Sequence, residues 1–121
     1  MHELSIAIRV IDLAAGHLRA ADGGRVVSIR LRVGRLAGVV PESLRTALAM
    51  AAQGTALEAA VVEIEDVPVR IWCPACEREV ELPGVVPLAC PECGARSGDV
   101  RAGGELELES LVLAAELEDV A

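Results

Sequence analysis

Four cysteines give the clearest chemical signal in this sequence. They form two C-x-x-C pairs separated by thirteen residues, Cys73 with Cys76 in CPAC and Cys90 with Cys93 in CPEC. Each spacing lets two thiolates point at one centre from a tight turn, so that two turns supply the tetrahedral sulfur set that Zn(II) accepts at about 2.3 Å. Because four thiolates leave no open coordination position, we predict a structural zinc site and not a catalytic one.

Other uses of these thiols remain open on the sequence alone. A rubredoxin-like iron site for electron transfer uses the same kind of turn, although only one aromatic residue, Trp72, is present to cover such a centre. A thioredoxin-type redox pair is disfavoured because neither pair opens a helix after a strand. Disulfides are disfavoured in a reducing cytosol. Metal binding would also supply folding energy, on the order of 10 kcal/mol, to a module too small to fold on its own core.

The amino terminus, Met-His-Glu, is the second candidate site. His2 offers an imidazole nitrogen and its own backbone amide, beside the terminal amine and the amide of Glu3. Closely spaced nitrogen donors form fused chelate rings and, after amide deprotonation, suit square-planar Ni(II) or Cu(II). The motif alone is weak, because most histidines near a mobile terminus are simply exposed. His17, the other histidine, is interpreted as an ordinary helix-end residue.

The periodicity of the chain predicts the helices and the first strand that position these sites. Helical spacing predicts a first helix whose buried face is Leu4, Ile8, Ile11, Ala15 and Leu18. Alternation in RVVSIRLRVGR predicts a strand whose buried residues are Val27, Ile29, Leu31 and Val33. PESLRTALAMAAQG predicts a second helix, which Pro41 opens and Gly54 follows.

Two more strands complete the predicted sheet. One runs from about Leu57 to Asp66 and is closed by Pro68, and the other follows GG in LELESLVLA, with a shift of phase before Leu111. The first strand points arginines outward where the other two point glutamates. This complementarity predicts that the strands are neighbours, although independently solvated faces would read the same way. The final acidic residues are interpreted as a solvated tail.

The fold class is therefore α+β, a small three-stranded sheet packed with two helices and interrupted by a zinc-ribbon-like four-cysteine domain. We place the α+β domain at residues 1–67 and 104–121 and the inserted domain at 68–103, where Pro, Gly and Cys replace the regular periodicity. Within the insertion, the spacer leaves room for a hairpin in which EREVEL returns through PGVVPLA.

Charge and composition exclude several classes of function. The formal net charge of −8 disfavours nucleic-acid binding, because it repels phosphate. No apolar run is long enough to span a membrane, and Arg9 and Asp12 interrupt the only segment that resembles a secretory signal, so a cytoplasmic protein is expected. No arrangement of Ser, Cys and His suggests a nucleophile, so we do not expect an enzyme.

Several motifs occur in one order over nearly the whole chain. They are MHELSIA, a GG-x-x-V-x-x-x-L-x-V-G strand, L-x-G-V-x-P-E-S-L at the second helix, a glutamate-bearing strand, the two C-P-x-C turns and GGELELESL. Together they resemble the HypA family of hydrogenase nickel maturation proteins. The resemblance implies that His2 and Glu3 bind nickel, that Cys73, Cys76, Cys90 and Cys93 bind zinc, and that nickel passes to the [NiFe]-hydrogenase large subunit with a HypB-type GTPase.

Two positions depart from the family pattern. Val40 stands where an acidic residue commonly precedes the second helix, and Arg35 stands where glutamate is common. The fourth nickel donor is therefore open among Glu42, the Met1 amine and a partner. The leading hypothesis is a nickel metallochaperone for hydrogenase, with urease maturation factors as further partners by family analogy. The alternatives are a zinc-ribbon interaction module without nickel transfer and the iron electron-transfer protein.

Overall fold

The computed structural model describes residues 3–115. It contains helices α1 (Glu3–Ala20) and α2 (Pro41–Ala52) and a short 3-10 helix, Arg35–Ala37. The strands are β1 (Arg25–Gly34), β2 (Val61–Val67), β3 (Arg70–Cys73), β4 (Arg78–Glu81), β5 (Val100–Ala102) and β6 (Leu106–Ala114). They form two three-stranded sheets, with orders β2-β1-β6 and β4-β3-β5. The predicted α+β class is confirmed.

Contacts divide the described chain into two compact units. One comprises residues 3–31, 40–64 and 108–115, and is called the helical unit below; the other comprises 32–39 and 65–107, and is called the cysteine unit. The dividing points fall inside β1, β2 and β6. The domain boundaries drawn from the sequence, at 67/68 and 103/104, remain a prediction.

Helix α1 buries a different face from the predicted one. Its buried residues are Ile6, Ala7, Val10, Ile11, Ala14 and Leu18. The prediction was right for Ile11 and Leu18 but wrong for Leu4 and Ile8, which are each 48% exposed. The buried stripe includes Ala7 and Ala14, which are fully buried, and α1 packs against α2. Small residues suit a helix–helix contact because they let the two helices approach closely.

Strand β1 changes phase near its start. Ile29, Leu31 and Val33 are buried as predicted, but Val27 is exposed and Val26 is buried instead. The amide of Val26 donates to the carbonyl of Ala56, which lies in the turns after α2 and not in a strand. The strict alternation therefore begins only at Ile29.

Strand β2 begins at Val61, four residues later than the sequence predicted. Residues 55–60 form turns, in which Thr55 bonds locally: its Oγ1 donates to the carbonyl of Ala52 at 2.6 Å and accepts from the amide of Leu57 at 3.1 Å. Leu57 is buried all the same. Its apolar character marks an anchored turn and not a strand. The strand ends at Val67, directly before Pro68, as predicted.

The sheet order β2-β1-β6 confirms the predicted neighbours. Arg30 pairs with Glu63 at 3.1 Å and Glu109 at 3.0 Å, and Arg32 pairs with Glu65 at 2.7 Å and Glu107 at 3.1 Å. Pairs this exposed contribute only about 0–1 kcal/mol each, so they favour the register more than they stabilise the fold. The predicted shift of phase in β6 is also observed, because both Glu109 and Ser110 are exposed. The predicted acidic tail, residues 116–121, lies outside the described residues.

The cysteine unit has its own buried cluster, in which Val69, Ile71, Val80 and Leu82 surround Cys73 and Cys90. Its hairpin is β3 with β4, in antiparallel register with Ile71 opposite Val80. The prediction that EREVEL returns through PGVVPLA was wrong, since β4 pairs with the strand before the first cysteine turn. This pairing places Cys73 at the end of a hairpin strand.

Two glycines hold the segment 32–39 against the rest of the cysteine unit. Gly34 donates its amide to the carbonyl of Glu105, and Leu36 donates to the carbonyl of Gly103. A Cβ at Gly34 would overlap the backbone carbonyl of Gly103. Gly103 itself has φ +114, and a Cβ there would lie 2.9 Å from Val69 Cα. Only glycine allows this approach of two backbones.

Candidate functional site

The first cysteine pair lies at the turn that joins β3 to β4. Cys73 ends β3 opposite Arg78, and its sulfur accepts a hydrogen bond from the amide of Cys76 at 3.4 Å. Glu77 continues the turn with φ +54, a left-handed conformation that reverses the chain into β4. The turn thus brings both sulfurs of the pair to one side.

The second pair is held by a similar local pattern. The amide of Cys90 donates to the carbonyl of Ala95 at 2.9 Å, and Gly94 donates back to the carbonyl of Cys90 at 2.8 Å. Gly94 has φ +78, which suits glycine because it lacks a Cβ. Gly94, the residue after CPEC, therefore allows the chain to turn back at a positive φ.

The four sulfurs converge and form what we call the cysteine cage (Cys73, Cys76, Cys90, Cys93). All of them lie within 4.8 Å of one another, with 3.5 Å between Cys73 and Cys93 and 4.0 Å between Cys76 and Cys90. A tetrahedron with metal–sulfur bonds of about 2.3 Å has edges of about 3.8 Å. The donor set thus fits a tetrahedral, sulfur-binding ion, and the separations are far longer than the roughly 2.05 Å of a disulfide.

The thiols of the cage hydrogen-bond to one another, and these bonds shift their pKa values. Hydrogen bonds with the sulfurs of Cys93 and Cys73 raise the pKa of Cys76 to about 12. A hydrogen bond from the backbone amide of Cys93 lowers the pKa of Cys90. A divalent ion must therefore displace at least the Cys76 proton at neutral pH, because only thiolates are strong ligands.

Four residues that the sequence analysis did not single out as a group support the cage. The carbonyl of Trp72, next to Cys73, accepts from Ser97 Oγ at 2.6 Å, and its amide donates to the carbonyl of Asp99 at 2.9 Å. Arg101 pairs with Asp99 and lies 5.1 Å from the centre of the Trp72 ring. The S-x-D spacing after the second turn was the available signal, since serine hydroxyls commonly bond the backbone two residues on.

The nickel-binding prediction falls partly outside the described residues. His2 lies outside them, whereas Glu3 is the first residue of α1. Glu3 lines an open cleft of about 440 Å³, called the helix cleft below, between the first turn of α1 and α2. The cleft is lined by Glu3, Leu4, Glu42, Ser43, Thr46, Ala47 and Met50. It brings Glu42, one of the open candidates for a further donor, to the same space as Glu3.

The two departures from the family pattern have different surroundings. Val40 is the residue before α2, is 56% exposed and makes no side-chain cap. Arg35 forms a two-atom contact with Asp66, with nitrogen–oxygen distances of 3.1 and 3.2 Å. Arg35 therefore forms an ion pair with a carboxylate of the cysteine unit.

Among residues 3–115, no helix is long and apolar enough to cross a membrane.

Comparison with known proteins identifies the family of the chain. The family model described as hydrogenase/urease nickel incorporation, metallochaperone, HypA matches residues 1–113. The chain is 44% identical over 111 residues to the hydrogenase maturation factor HypA of Chloroflexus aggregans, covering 92% of this chain and 97% of the relative. It is 45% identical over 113 residues to the HypA of Streptomyces avermitilis, covering 92% and 86%.

Solved structures agree at the level of the fold. The solution structure of the Ni metallochaperone HypA from Helicobacter pylori matches with a TM-score of 0.67 at 20% identity, over 96% of this chain and all of that one. A second HypA solution structure matches with a TM-score of 0.68 at 22% identity, over 96% and 98%. These two matches concern the fold, whereas the family model and the relatives above show that the chain belongs to the HypA family of nickel incorporation metallochaperones.

Proposed function

We propose that this protein binds Ni(II) at its Met-His-Glu terminus and delivers it for maturation of [NiFe]-hydrogenase. Family membership supports the role, and the position of Glu3 at the open helix cleft carries the assignment of the site. His2 supplies the imidazole and a backbone amide, and the amide of Glu3 or the Met1 amine completes a chelate suited to a square-planar ion. The protein acts by binding and transfer, not by catalysis.

Glu42 is our candidate for the further donor. Its side chain is placed by the start of α2, where Pro41 occupies the first helical position and Glu42 the second. The residue lines the helix cleft together with Glu3, so one ion at the cleft could reach both carboxylates. Val40, which is apolar and exposed, offers no donor in place of the common acidic residue.

The exposed position of this site suits delivery. A square-planar ion in an open cleft can be approached by a client's ligands, so transfer proceeds by stepwise ligand exchange. We propose the [NiFe]-hydrogenase large subunit as the recipient and a HypB-type GTPase as the helper, with urease maturation factors as further partners. We also place this protein in the cytoplasm, where reducing conditions keep cysteine thiols available as metal ligands.

The cysteine cage serves a different purpose in this proposal. It holds Zn(II) as a structural ion that stabilises the inserted domain at residues 68–103. Four thiolates leave no site for water or substrate, so the ion supplies folding energy and no reaction. Iron fits the same sulfur tetrahedron, so metal content and a visible spectrum of the purified protein are part of the test.

Calorimetric titration with Ni(II) tests the proposed nickel site. We expect His2→Ala, and a variant with one residue added before Met1, to lose at least the roughly 10–100-fold in affinity that even an outer-shell partner contributes. His17→Ala is the matched control, since His17 lies in the last turn of α1, and it should bind nickel as the parent does. Unchanged affinity in the His2→Ala variant would leave the zinc-ribbon interaction module as the better reading.

A further inference from the structure

Ser97 contacts the chain segments that lead into both cysteine pairs. Its hydroxyl donates to the carbonyl of Trp72, the residue before Cys73, at 2.6 Å. Its amide donates to the carbonyl of Leu88, two residues before Cys90, at 3.1 Å. One residue therefore bonds the approach to the first turn through its side chain and the approach to the second turn through its backbone.

The hydroxyl of Ser97 has a partner on each side. It also accepts from the amide of Asp99 at 3.2 Å, while the carbonyl of Asp99 accepts from the amide of Trp72 at 2.9 Å. Both backbone groups of Trp72 are thus bonded to the segment 97–99. Removing the hydroxyl takes away the bond to the Trp72 carbonyl, which is partly buried and therefore costly to leave unpaired, and also the bond from the Asp99 amide, which is exposed and can turn to water.

The geometry of the cysteine cage makes this link consequential. Within each pair the sulfurs are held close by a local turn, whereas the two pairs are far apart in sequence and meet across the cage. An ion is released more readily when the Cys73 turn and the Cys90 turn can move apart, because its bonds to both turns are then lost together. A contact that ties their approach segments together opposes that separation.

We propose that Ser97 is a positioning residue of the metal centre, whose hydroxyl ties the Cys73 turn to the Cys90 turn and slows escape of the ion. The proposal rests on the proposed zinc occupancy of the cage. Ser97 acts through the backbone of Trp72 and does not touch the ion, in the way that outer-shell hydrogen bonds fix the ligands of other metal sites.

The test is the rate at which zinc passes from the full-length protein to an excess of a chromogenic chelator. Ser97→Ala should release zinc about tenfold faster, at the lower end of the range for outer-shell substitutions. Ser97→Thr and Ser97→Val form an isosteric pair that differs in the hydroxyl, so the Thr variant should release zinc near the parent rate and the Val variant near the Ala rate. Ser110→Ala removes an exposed serine hydroxyl from β6 and should change nothing.

Measuring zinc content separates the proposed role of Ser97 from the proposed zinc occupancy of the cysteine cage, on which it rests. If the parent protein carries no zinc, the proposed occupancy fails, whereas a parent with one zinc and an Ala variant with the parent release rate overturns the role of Ser97 alone. Equal rates for the Thr and Val variants overturn it too. Should the Ala and Val variants not fold, hydrogen exchange on the zinc-loaded parent decides: the Asp99 amide should open at least as fast as zinc leaves, and zinc release that outpaces this opening overturns the proposal.

Discussion

In the cysteine cage, four donor atoms of one kind lie within 4.8 Å of one another, and Cys73 and Cys90 are buried. In the helix cleft, two carboxylates line an open space of about 440 Å³ beside exposed apolar side chains such as Leu4 and Met50. The cage has its complete donor set within one unit and fixes it by turns and a hairpin. The cleft offers an incomplete set that a terminus or a partner must complete.

Under the proposed function, this difference separates a site suited to keeping its ion from a site suited to giving it up. A buried, complete thiolate set binds an ion tightly because four sulfur ligands are already gathered and binding also stabilises the fold. An open carboxylate site exchanges ligands readily, because water and a client can reach the ion. A chain that carries both kinds of site can keep a structural ion while it transfers another. Each prediction below tests one side of the contrast.

The largest expected effect is on the cage. Cys90→Ser removes one buried thiolate, so the protein should lose zinc and with it folding free energy on the order of 10 kcal/mol. Zinc analysis and amide NMR spectra should show the loss concentrated in residues 65–107. Ala75→Ser is the control, because it adds a hydroxyl at an exposed position of the first turn and keeps all four sulfurs. A Cys90→Ser protein that keeps one zinc and an ordered cysteine unit would contradict the contrast.

The second effect concerns how the cysteine unit holds residues 32–39. Gly34→Ala should lower the free energy of unfolding by about 3 kcal/mol, because the new methyl group overlaps the carbonyl of Gly103 and the backbone must move. Urea unfolding of the zinc-loaded protein measures the change. Gly104→Ala is the matched control, since a Cβ there meets nothing within 4 Å. Equal losses in the two variants would show that the close approach does not matter.

The third effect is the pH dependence of the cage. Since the pKa of Cys76 is raised to about 12, its thiol is protonated at pH 6–8 and binding zinc releases that proton. Zinc affinity should therefore rise at least tenfold per pH unit, and fall at least a hundredfold from pH 8 to pH 6. The folding stability of the zinc-free protein changes with pH in the opposite direction. Because the thiol pKa is higher in the folded protein than the ordinary value of about 8.5, the protonated thiol stabilises the fold below that pH, and this stabilisation is lost as the pH rises toward 12. Chelator competition across this pH range would reveal a flat profile if the thiols were already ionised.

The smallest effect concerns the helix cleft. Glu42→Gln should weaken nickel binding about tenfold and leave zinc content unchanged, because it removes a charge from one wall of the cleft. Glu58→Gln, which changes an exposed carboxylate outside the cleft, is the control. Calorimetry on both variants decides between Glu42 and the remaining candidates. Identical nickel affinities would assign the further donor to the Met1 amine or to a partner.

Much of the cage and of the sheet order could be predicted because spacing and charge are local properties of a sequence. The C-x-x-C spacing alone was enough to predict the two cysteine turns, and the opposite charges on neighbouring strands were enough to predict the sheet order. Packing was harder to predict. Leu4 and Ile8 are exposed while Ala7 and Ala14 are fully buried, and nothing in an apolar pattern ranks a small residue above a large one. Leu57 was predicted to lie in a strand because an apolar residue that is buried in a turn cannot be told from one in a strand by its type alone.

The contribution of Ser97 could not be predicted for a different reason. Its hydroxyl joins segments 25 residues apart, and such a bond depends on where β3 and the segment after Cys93 meet. The S-x-D spacing suggested only a local turn. Side-chain bonds between distant segments follow from topology, which the sequence pattern alone does not give.

The place of Trp72 beside Cys73 has an optical consequence. It is the only aromatic residue among all 121, with no Tyr or Phe, so it supplies essentially all of the aromatic near-ultraviolet emission of the chain. Its indole ring is covered by the guanidinium of Arg101 within the cysteine unit. The protein therefore carries a built-in fluorophore that reports on one unit alone. A change in that emission on addition of nickel would therefore report on the cysteine unit, and it can be measured without attaching a label.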